Sequence, residues 1–269
     1  MLLLIDHVTL YRYAAPVRGM VQSHRLTPSV HDGQQTMDWT ISVSGGVQGS
    51  GFRDGAGDWV EGWSVKGPVS QIEVHVRGRV STTDMAGVLR GHREGIAPEC
   101  YLRETAATEP AGGLAHLAKA GAGADNRLSA CHALSLAVSE AVAYKPGATH
   151  ARTTAAEALE LGEGVCQDHT HVLCAVARAN GIPARYVSGY LLADADGAAH
   201  EAAHAWAELH VPGLGWVGFD PANECCPDDR YVRLGSGLDA REAAPIRGST
   251  RSKGAESLDV TVAVLATQQ

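Results

Sequence analysis

The stretch Gly162-Glu163-Gly164-Val165-Cys166-Gln167-Asp168 is the most informative part of this sequence. Its glycines form a short loop that leads directly into a segment predicted to be helical from about Cys166 to Asn180. A cysteine therefore stands at the first position of a helix. The unpaired N–H groups and the partial positive charge at a helix N-terminus favour the thiolate, which is the nucleophilic form of cysteine. The same N–H groups can stabilise an oxyanion on an attacked carbonyl group.

A simpler interpretation of Cys166 is a small side chain that fills the protein core, because cysteine is often buried. Cys174 gives the contrast, since it falls in the middle of the same predicted helix on its apolar side, and we interpret it as structural. The apolar stripe of Val172, Leu173, Val176 and Ala177 indicates that this helix is packed and can hold the sulfur of Cys166 in place.

A thiol nucleophile requires a base, and the base requires a residue that orients it. Downstream of the helix, residues 204–211 and 216–220 read as two strands joined by Pro212-Gly213-Leu214-Gly215, which predicts a β-hairpin. His204 and Asp220 would lie at the same end of this hairpin. A regular even-numbered loop would pair Val211 with Trp216 and would turn Asp220 to the opposite face from His204. We therefore predict a one-residue bulge near the turn, with Gly215 as its left-handed residue.

Outside these motifs, the first hundred residues show period-two patterns that are typical of strands. The runs 5–13, 36–44, 59–65 and 70–81 are separated by turn signals, and they predict a small sandwich or barrel. The second half contains predicted helices at 127–142 and 166–180, followed by strand-like runs at 184–192, 205–211, 216–220 and 258–265. Helices followed by a sheet predict an α+β fold. We therefore divide the chain into an N-terminal β domain (1–95), a connector (96–125) and a catalytic domain (126–269).

Composition excludes several classes of function. The chain has 269 residues, a net charge of −8 and a hydrophobic content of 45%, which allows a sizeable core without a basic surface for nucleic acid. The most basic run, 247–253, is interpreted as a solvated loop. No segment has the apolar length of a membrane span, and the N-terminal run ends at Asp6 without the features of a signal peptide. The six scattered cysteines are not typical of a disulfide scaffold, so we expect reduced thiols and a cytoplasmic location.

Four motifs together resemble the transglutaminase-like superfamily, and in particular its bacterial transglutaminase/protease group with an N-terminal β domain. They are Gly-Val-Cys-Gln-Asp (164–168), Gly-Ile-Pro-Ala-Arg-Tyr-Val-Ser-Gly-Tyr (181–190), His-Ala-Trp (204–206) and Gly-Trp-Val-Gly-Phe-Asp-Pro (215–221). The segments 24–28 and 239–248 are similar to the opening and closing patterns of that group, so the resemblance covers nearly the whole chain. It implies a papain/transglutaminase-like core, in which the helix that bears the cysteine packs on an antiparallel sheet, preceded by an all-β sandwich-like domain.

Carried over to this sequence, the resemblance implies a catalytic triad of Cys166 as nucleophile, His204 as base and acid, and Asp220 as the residue that orients the histidine. Asp168 and Arg185 match motif positions that we expect to be structural. The implied activity is acyl transfer from an amide or peptide bond through a thioester, which is resolved by water or by an amine. The expected partners are a peptide or protein substrate and an amine acceptor, with no nucleic acid and no membrane. We expect neither a cofactor nor a metal. Tyr144 is a candidate for lining the cleft.

Two other classes of function remain open at this stage. His200-Glu201-Ala202-Ala203-His204 matches the zincin signature, which would require a helix that carries both histidines, a third ligand such as Glu224, and the glutamate as general base. A non-catalytic peptide-binding module on the same fold is the other alternative. Asp168, His169 and His171 also contain metal-ligating groups, but we expect hydrogen-bonded structural roles for them. For the adjacent Cys225 and Cys226 we expect two unpaired thiols, with a strained vicinal disulfide as the alternative.

Overall fold

Two long strands organise the N-terminal half of the protein. The structure is a computed structural model that describes residues 1–192, 203–250 and 255–266. Strands β1 and β4 pair antiparallel over almost their full length, with irregular register between Arg12 and Gly19. On one side of the irregularity the strand order is β12-β1-β4-β2, and on the other side it is β11-β1-β4-β3. Strands β1 and β4 therefore run through both parts of this six-stranded sheet. Side chains from both parts meet in one hydrophobic core, as expected for a sandwich-like β domain. The strands of this sheet are β1 (Leu2–His24), β2 (Gln34–Val43), β3 (Gly46–Arg53), β4 (Trp59–Thr82), β11 (Ile246–Thr250) and β12 (Glu256–Ala266).

The second half of the chain packs helices on a four-stranded antiparallel sheet of order β10-β7-β8-β9. A two-residue parallel pair, β5 and β6, lies just before the main helix α4. The strands are β5 (Ala143–Tyr144), β6 (Glu163–Gly164), β7 (Ala184–Leu191), β8 (Ala203–Val211), β9 (Gly215–Phe219) and β10 (Tyr231–Gly237), and the helices are α1 (Leu114–Leu117), α2 (Arg127–Ala141), α3 (Ala155–Leu161) and α4 (Cys166–Ala179). The predicted α+β architecture is therefore confirmed.

Helix α4 is the centre of this second unit. Its predicted apolar stripe is buried against α2, α3 and strand β8, and every residue from Asp168 to Arg178 is buried. A helix that is surrounded on nearly all sides has little freedom to shift. Cys166, at its N-terminus, is therefore held on a rigid element. In the described part of the chain, no helix combines the length and the apolar character that a membrane crossing requires.

The end of the chain differs from the prediction. The strand predicted at 258–265 is present as β12, but it pairs with β1 in the N-terminal sheet and not with the sheet of the second unit. The basic run that was interpreted as a solvated loop begins inside β11, which also pairs with β1; residues 251–254 lie outside the described residues. The last two strands within the predicted catalytic domain (126–269), β11 and β12, therefore belong to the N-terminal sheet. The long strand β1 explains this, because β4 covers only one of its edges and the other edge needs backbone partners.

A buried network of charges joins the two units. The Glu208 carboxylate on β8 accepts hydrogen bonds from Arg185 Nε at 2.6 Å and from Arg233 Nε at 2.9 Å. Arg233 in turn donates to Asp58, which precedes β4, at 2.6 Å. Although burial disfavours its charged form, the two arginines lower the pKa of Glu208 to about 2. Arg185 also pairs with Glu94 and lies over the Trp216 ring, 4.1 Å from its centre. Arg185 thus has the structural role predicted for it.

We predict that Glu208→Gln destabilises the protein by about 3–5 kcal/mol, because it leaves buried arginines without a full set of counter-charges. The free energy of unfolding, measured in urea at pH 7, tests this. Since the pKa of Glu208 is lowered in the folded state, its stabilisation is present above about pH 4.5 and is lost as the pH falls toward 2. The control is Arg77→Ala, which removes an exposed pair with Asp6 and should change stability by less than about 1 kcal/mol. Equal effects of the two variants would contradict the prediction.

Candidate active site

The loop before α4 is fixed by its own backbone and by one carboxylate. Helix α3 ends at Gly162, which has a left-handed φ of +67°, and the chain then pairs through β6 with β5. Asp168 Oδ2 accepts hydrogen bonds from the Val165 backbone N–H at 2.8 Å and from Thr149 Oγ1 at 2.6 Å. Asp168 therefore caps the start of α4, in agreement with its predicted structural role. As the first residue of the helix, Cys166 has no intrahelical acceptor for its own N–H.

The two cysteines of α4 differ as predicted. Cys166 is partly exposed and packs beside Tyr186, Ala205 and Ala243. Cys174 is fully buried, and burial raises the pKa of its thiol to about 11. Cys174 is therefore a neutral core residue. Cys166 is the cysteine of this helix that a substrate can reach.

The β8–β9 hairpin has the shifted register that the triad requires. Val211 pairs with Gly215 and Ala207 with Phe219, so the connection is one residue shorter than in the regular pairing of Val211 with Trp216. Gly215 has a φ of +81°, a conformation that glycine adopts without strain. Continued beyond β9, this register places Asp220 opposite Trp206, on the face that also carries His204. His204 and Asp220 are therefore diagonal neighbours at the same end of the hairpin.

Their side chains make direct contact. His204 Nε2 lies 2.6 Å from Asp220 Oδ2, and the carboxylate is completely buried. The second carboxylate oxygen, Oδ1, accepts backbone N–H bonds from Ala222 at 3.1 Å and from Asn223 at 3.3 Å. Because Nε2 is engaged by Asp220, Nδ1 is the ring nitrogen that remains for Cys166, whose neighbouring side chain helps to raise the pKa of His204. The structure thus brings the three predicted residues together in series.

The charges of this series reinforce each other. Burial alone would lower the pKa of His204, but hydrogen bonds to Asp220 and Cys166 raise it to about 10. Burial would raise the pKa of Asp220, but the hydrogen bond and the charge of His204 hold it below its usual value. His204 is therefore an imidazolium and Asp220 a carboxylate at neutral pH. The stabilisation that a protonated His204 contributes is complete below about pH 6.5 and is lost as the pH rises to about 10.

Two aromatic rings and one amide complete the surroundings of His204. The imidazole stacks on Trp206, with ring centres 6.5 Å apart, and it meets the edge of Tyr231 at 6.0 Å. Asn223 Nδ2 donates to Asp220 Oδ2 at 2.7 Å, and the Tyr231 hydroxyl donates to the same oxygen at 2.8 Å. The roles of Asn223 and Tyr231 were not predicted from the sequence. The alternation in Tyr231-Val-Arg-Leu was a signal for β10, but no pattern in the sequence indicated its distance from Asp220.

The helix that the zinc alternative requires does not include His204. His204 lies on strand β8 rather than on a helix, and its Nε2 is occupied by Asp220. His200 and Glu201 lie outside the described residues. The ring nitrogens of His169 lie 2.9 Å from the Val165 carbonyl oxygen and 2.7 Å from that of Val142, so this histidine is held by backbone groups. Within residues 1–192, 203–250 and 255–266, no group of three or more histidine, cysteine or acidic side chains is arranged to hold a metal ion.

The remaining predicted residues occupy the edges of the site. Tyr144 on β5 pairs with Gly164, two residues before Cys166, and its half-exposed ring lies 6.3 Å from that of His169. Its place beside the loop that precedes Cys166 agrees with a position at the predicted cleft. Cys225 and Cys226 are free thiols, as expected, and no vicinal disulfide forms.

Comparisons with known families agree with this geometry. Residues 115–221 match the transglutaminase-like superfamily model, and residues 3–81 match the bacterial transglutaminase-like N-terminal region. The chain therefore has a transglutaminase-like core preceded by a bacterial transglutaminase-like N-terminal region. Cys166, His204 and Asp220 all fall within the matched core.

Several curated proteins share part of this sequence. An uncharacterized protein of Mycobacterium leprae is 37% identical over 125 residues, which is 45% of this chain and 44% of that protein. A Mycobacterium tuberculosis protein, also uncharacterized, is 38% identical over 132 residues, which is 45% of this chain and 42% of that protein. The chain thus spans less than half the length of these relatives. A protein of Pseudomonas aeruginosa named protein-glutamine gamma-glutamyltransferase is 32% identical over 105 residues, covering 37% of this chain and 15% of that protein.

A solved structure shares the whole fold. The crystal structure of a protein from Cytophaga hutchinsonii, named a "putative cysteine protease", covers 100% of this chain and 92% of its own, with a TM-score of 0.75 and 20% sequence identity. At this identity the likeness establishes the fold and not the activity. The β domain and the catalytic core therefore occur together in this solved structure as well.

We predict that Cys166→Ala lowers the pKa of His204, because it removes the neighbouring side chain that helps to raise this pKa. NMR titration of histidine-labelled protein measures this pKa directly, with the resonance assigned by its loss in His204→Gln. The control is Cys100→Ala, which removes an exposed thiol outside the site. An unchanged His204 pKa in Cys166→Ala would show that the thiol and the imidazole do not interact.

Proposed function

We propose that this protein is a thiol-dependent acyl-transfer enzyme that acts on amide or peptide bonds through a Cys166-His204-Asp220 triad. The observation that carries the proposal is the 2.6 Å contact between His204 Nε2 and the buried Asp220 carboxylate, with the partly exposed Cys166 beside the same imidazole at the start of α4. A nucleophile, a base and a residue that orients the base, held within hydrogen-bond reach, are the arrangement that covalent catalysis by cysteine requires. The superfamily match and the cysteine-protease-like fold support an enzyme of this class.

The first half of the proposed reaction forms a thioester. The sulfur of Cys166 attacks the carbonyl carbon of the substrate amide, and a C–S bond forms as the carbonyl oxygen takes up negative charge. When the C–N bond breaks, the protonated His204 gives its proton to the leaving amine. A histidine whose pKa is raised to about 10 is already protonated at neutral pH and can act as this acid. Asp220 keeps the imidazole oriented toward the sulfur and balances its charge.

The second half resolves the thioester. His204 is now neutral, and it accepts a proton from water or from an amine that attacks the thioester carbonyl. Attack by water gives a carboxylic acid, and attack by an amine gives a new amide; either path breaks the C–S bond, releases the Cys166 sulfur and leaves His204 protonated, as at the start. The backbone N–H of Cys166 is placed to donate to the carbonyl oxygen in both halves, because it lies at the helix N-terminus without an intrahelical acceptor.

The substrate class follows from this chemistry and from one relative. We propose a peptide or protein as acyl donor, through a glutamine side-chain amide or a peptide bond. The Pseudomonas aeruginosa relative is named for transfer of a glutamine γ-acyl group, which supports the side-chain amide. The proposed reaction of Cys166, His204 and Asp220 balances without a metal or a redox cofactor. We also propose a cytoplasmic location, in keeping with six free cysteines that include the exposed Cys100.

We predict that iodoacetamide alkylates Cys166 faster than any other thiol of the folded protein near neutral pH. His204→Gln should slow this alkylation by about tenfold or more, because the imidazolium that stabilises the thiolate is lost. Peptide mapping by mass spectrometry identifies the modified residue and gives the rate. Cys100→Ala serves as the control and should leave the rate at Cys166 unchanged. Slow, His204-independent labelling would contradict a catalytic role and would favour a non-catalytic binding module.

The activity itself is tested by trapping. The wild-type protein is mixed with a library of glutamine-containing peptides and peptide amides and quenched in acid, and the intact mass and the site of any adduct are determined. An acyl group on Cys166 that is absent from Cys166→Ala identifies the donor, and its release with water or with an added primary amine distinguishes hydrolysis from transamidation. Failure of every amide to load Cys166, while iodoacetamide does, would reject this substrate class.

A further inference from the structure

We propose that Tyr231 is a positioning residue of the candidate triad, which holds and polarises the Asp220 carboxylate through the same oxygen that contacts His204, and that Cys225 extends this chain of hydrogen bonds by one more donor. The inference rests on the proposed function, since it assigns a role within the Cys166-His204-Asp220 triad. Neither the sequence motifs nor the comparisons assign a role to Tyr231 or Cys225.

The contact between Tyr231 and Asp220 is short and buried. The Tyr231 hydroxyl lies 2.8 Å from Asp220 Oδ2, the same oxygen that contacts His204 Nε2 at 2.6 Å. Tyr231 is 5% exposed and Asp220 is not exposed at all, so water does not compete for this bond. Asn223 also donates to this oxygen, but its side chain is exposed. Besides His204, Tyr231 is therefore the donor to Oδ2 that is shielded from solvent.

The directions of these hydrogen bonds follow from the number of protons. An ionised carboxylate only accepts, so the single hydroxyl proton of Tyr231 is committed to Asp220. The Tyr231 oxygen can then act only as an acceptor toward Cys225 Sγ, which lies 3.3 Å away, so Cys225 must donate its thiol proton. The resulting chain runs from Cys225 to Tyr231 to Asp220, where it meets the bond from His204. Burial raises the pKa of the Cys225 thiol, which keeps this proton in place.

The ring of Tyr231 is held so that its hydroxyl cannot turn away. Tyr231 is the first residue of β10 and pairs with Leu191 on β7. Its ring meets the Trp206 ring at 84°, with centres 5.4 Å apart, and Trp206 stacks on His204. Tyr231, Trp206 and His204 thus form one packed aromatic group. A side chain fixed by packing gives a hydrogen bond of defined direction, which is what the support of a catalytic group requires.

Several titratable groups surround the imidazole and the carboxylate, and each enters the expected effect. Cys166 faces His204 from α4, and Asp220 follows β9. Cys225 lies in the loop after β9, with Asp228 and Arg230 near its thiol. Tyr231, on β10, contacts both Cys225 and Asp220. Among the described residues, Tyr231 contacts Asp220 as a neutral donor that draws negative charge away from Oδ2. Without that donor, the charge on Oδ2 is more concentrated and binds the His204 proton more tightly.

The test is the variant Tyr231→Phe, which removes only the hydroxyl. We expect the NMR titration midpoint of His204 to rise by roughly half a pH unit or more relative to the wild type. The alkaline limb of Cys166 alkylation by iodoacetamide should shift in the same direction. A purely structural role for Tyr231 would lower thermal stability without moving either pH profile. The matched control is Tyr13→Phe, which removes a buried hydroxyl that contacts the Met20 sulfur in the β domain.

A second variant keeps the proposal testable if Tyr231→Phe does not fold. Cys225→Ala removes the donor to the Tyr231 oxygen, weakens the polarisation of the Tyr231 O–H group, and should raise the His204 midpoint by a smaller amount. An unshifted or lowered midpoint in folded Tyr231→Phe overturns the proposal. If that variant is unfolded, an unshifted midpoint in Cys225→Ala overturns it. Slow alkylation of wild-type Cys166 that does not depend on His204 would instead reject the triad itself, so the two failures are distinguishable.

Discussion

The register of the β8–β9 hairpin is the constraint on which the candidate site depends. Side chains alternate between the two faces of a strand, so a shift of one residue would turn Asp220 away from His204. The pairing of Val211 with Gly215 sets that register, and the left-handed conformation of Gly215 allows it. Once the register is set, the position of His204 on β8 and the position of Asp220 after β9 follow without further adjustment. Cys166 meets them because α4 packs directly on β8.

The buried charge network stabilises strands β8 and β10, which carry His204 and Tyr231. Glu208 lies four residues after His204 on β8, and Arg233 lies two residues after Tyr231 on β10, so each strand carries one site residue and one network residue on the same face. Arg233 also bonds Asp58, which belongs to the β domain. The N-terminal β domain is therefore connected to the strands that carry the candidate triad, and the same ion pairs that join the two units also fix the geometry of the site.

Local patterns in the sequence were sufficient for some parts of the structure and insufficient for others. The glycine loop, the start of α4 and the bulged hairpin could be predicted because each depends on neighbouring residues: a cap, an apolar stripe and a glycine with positive φ. The return of β11 and β12 to strand β1 could not, because pairing across more than 200 residues leaves no local signal. Tyr231 was missed for a similar reason, since its contact with Asp220 depends on the sheet order and on the loop between them.

The environment of Asp220 explains how a fully buried carboxylate can remain charged. Removal of a charged group from water costs several kcal/mol unless each lone pair finds a donor. Asp220 has five: His204 Nε2, the Tyr231 hydroxyl, Asn223 Nδ2, and the backbone N–H groups of Ala222 and Asn223. The two backbone donors bind Oδ1 and fix the plane of the carboxylate, while the three side chains converge on Oδ2. The negative charge of Asp220 is thus fully hydrogen-bonded, and of the three side chains that donate to Oδ2 only the imidazole has a second ring nitrogen, Nδ1, that can exchange a proton with other groups.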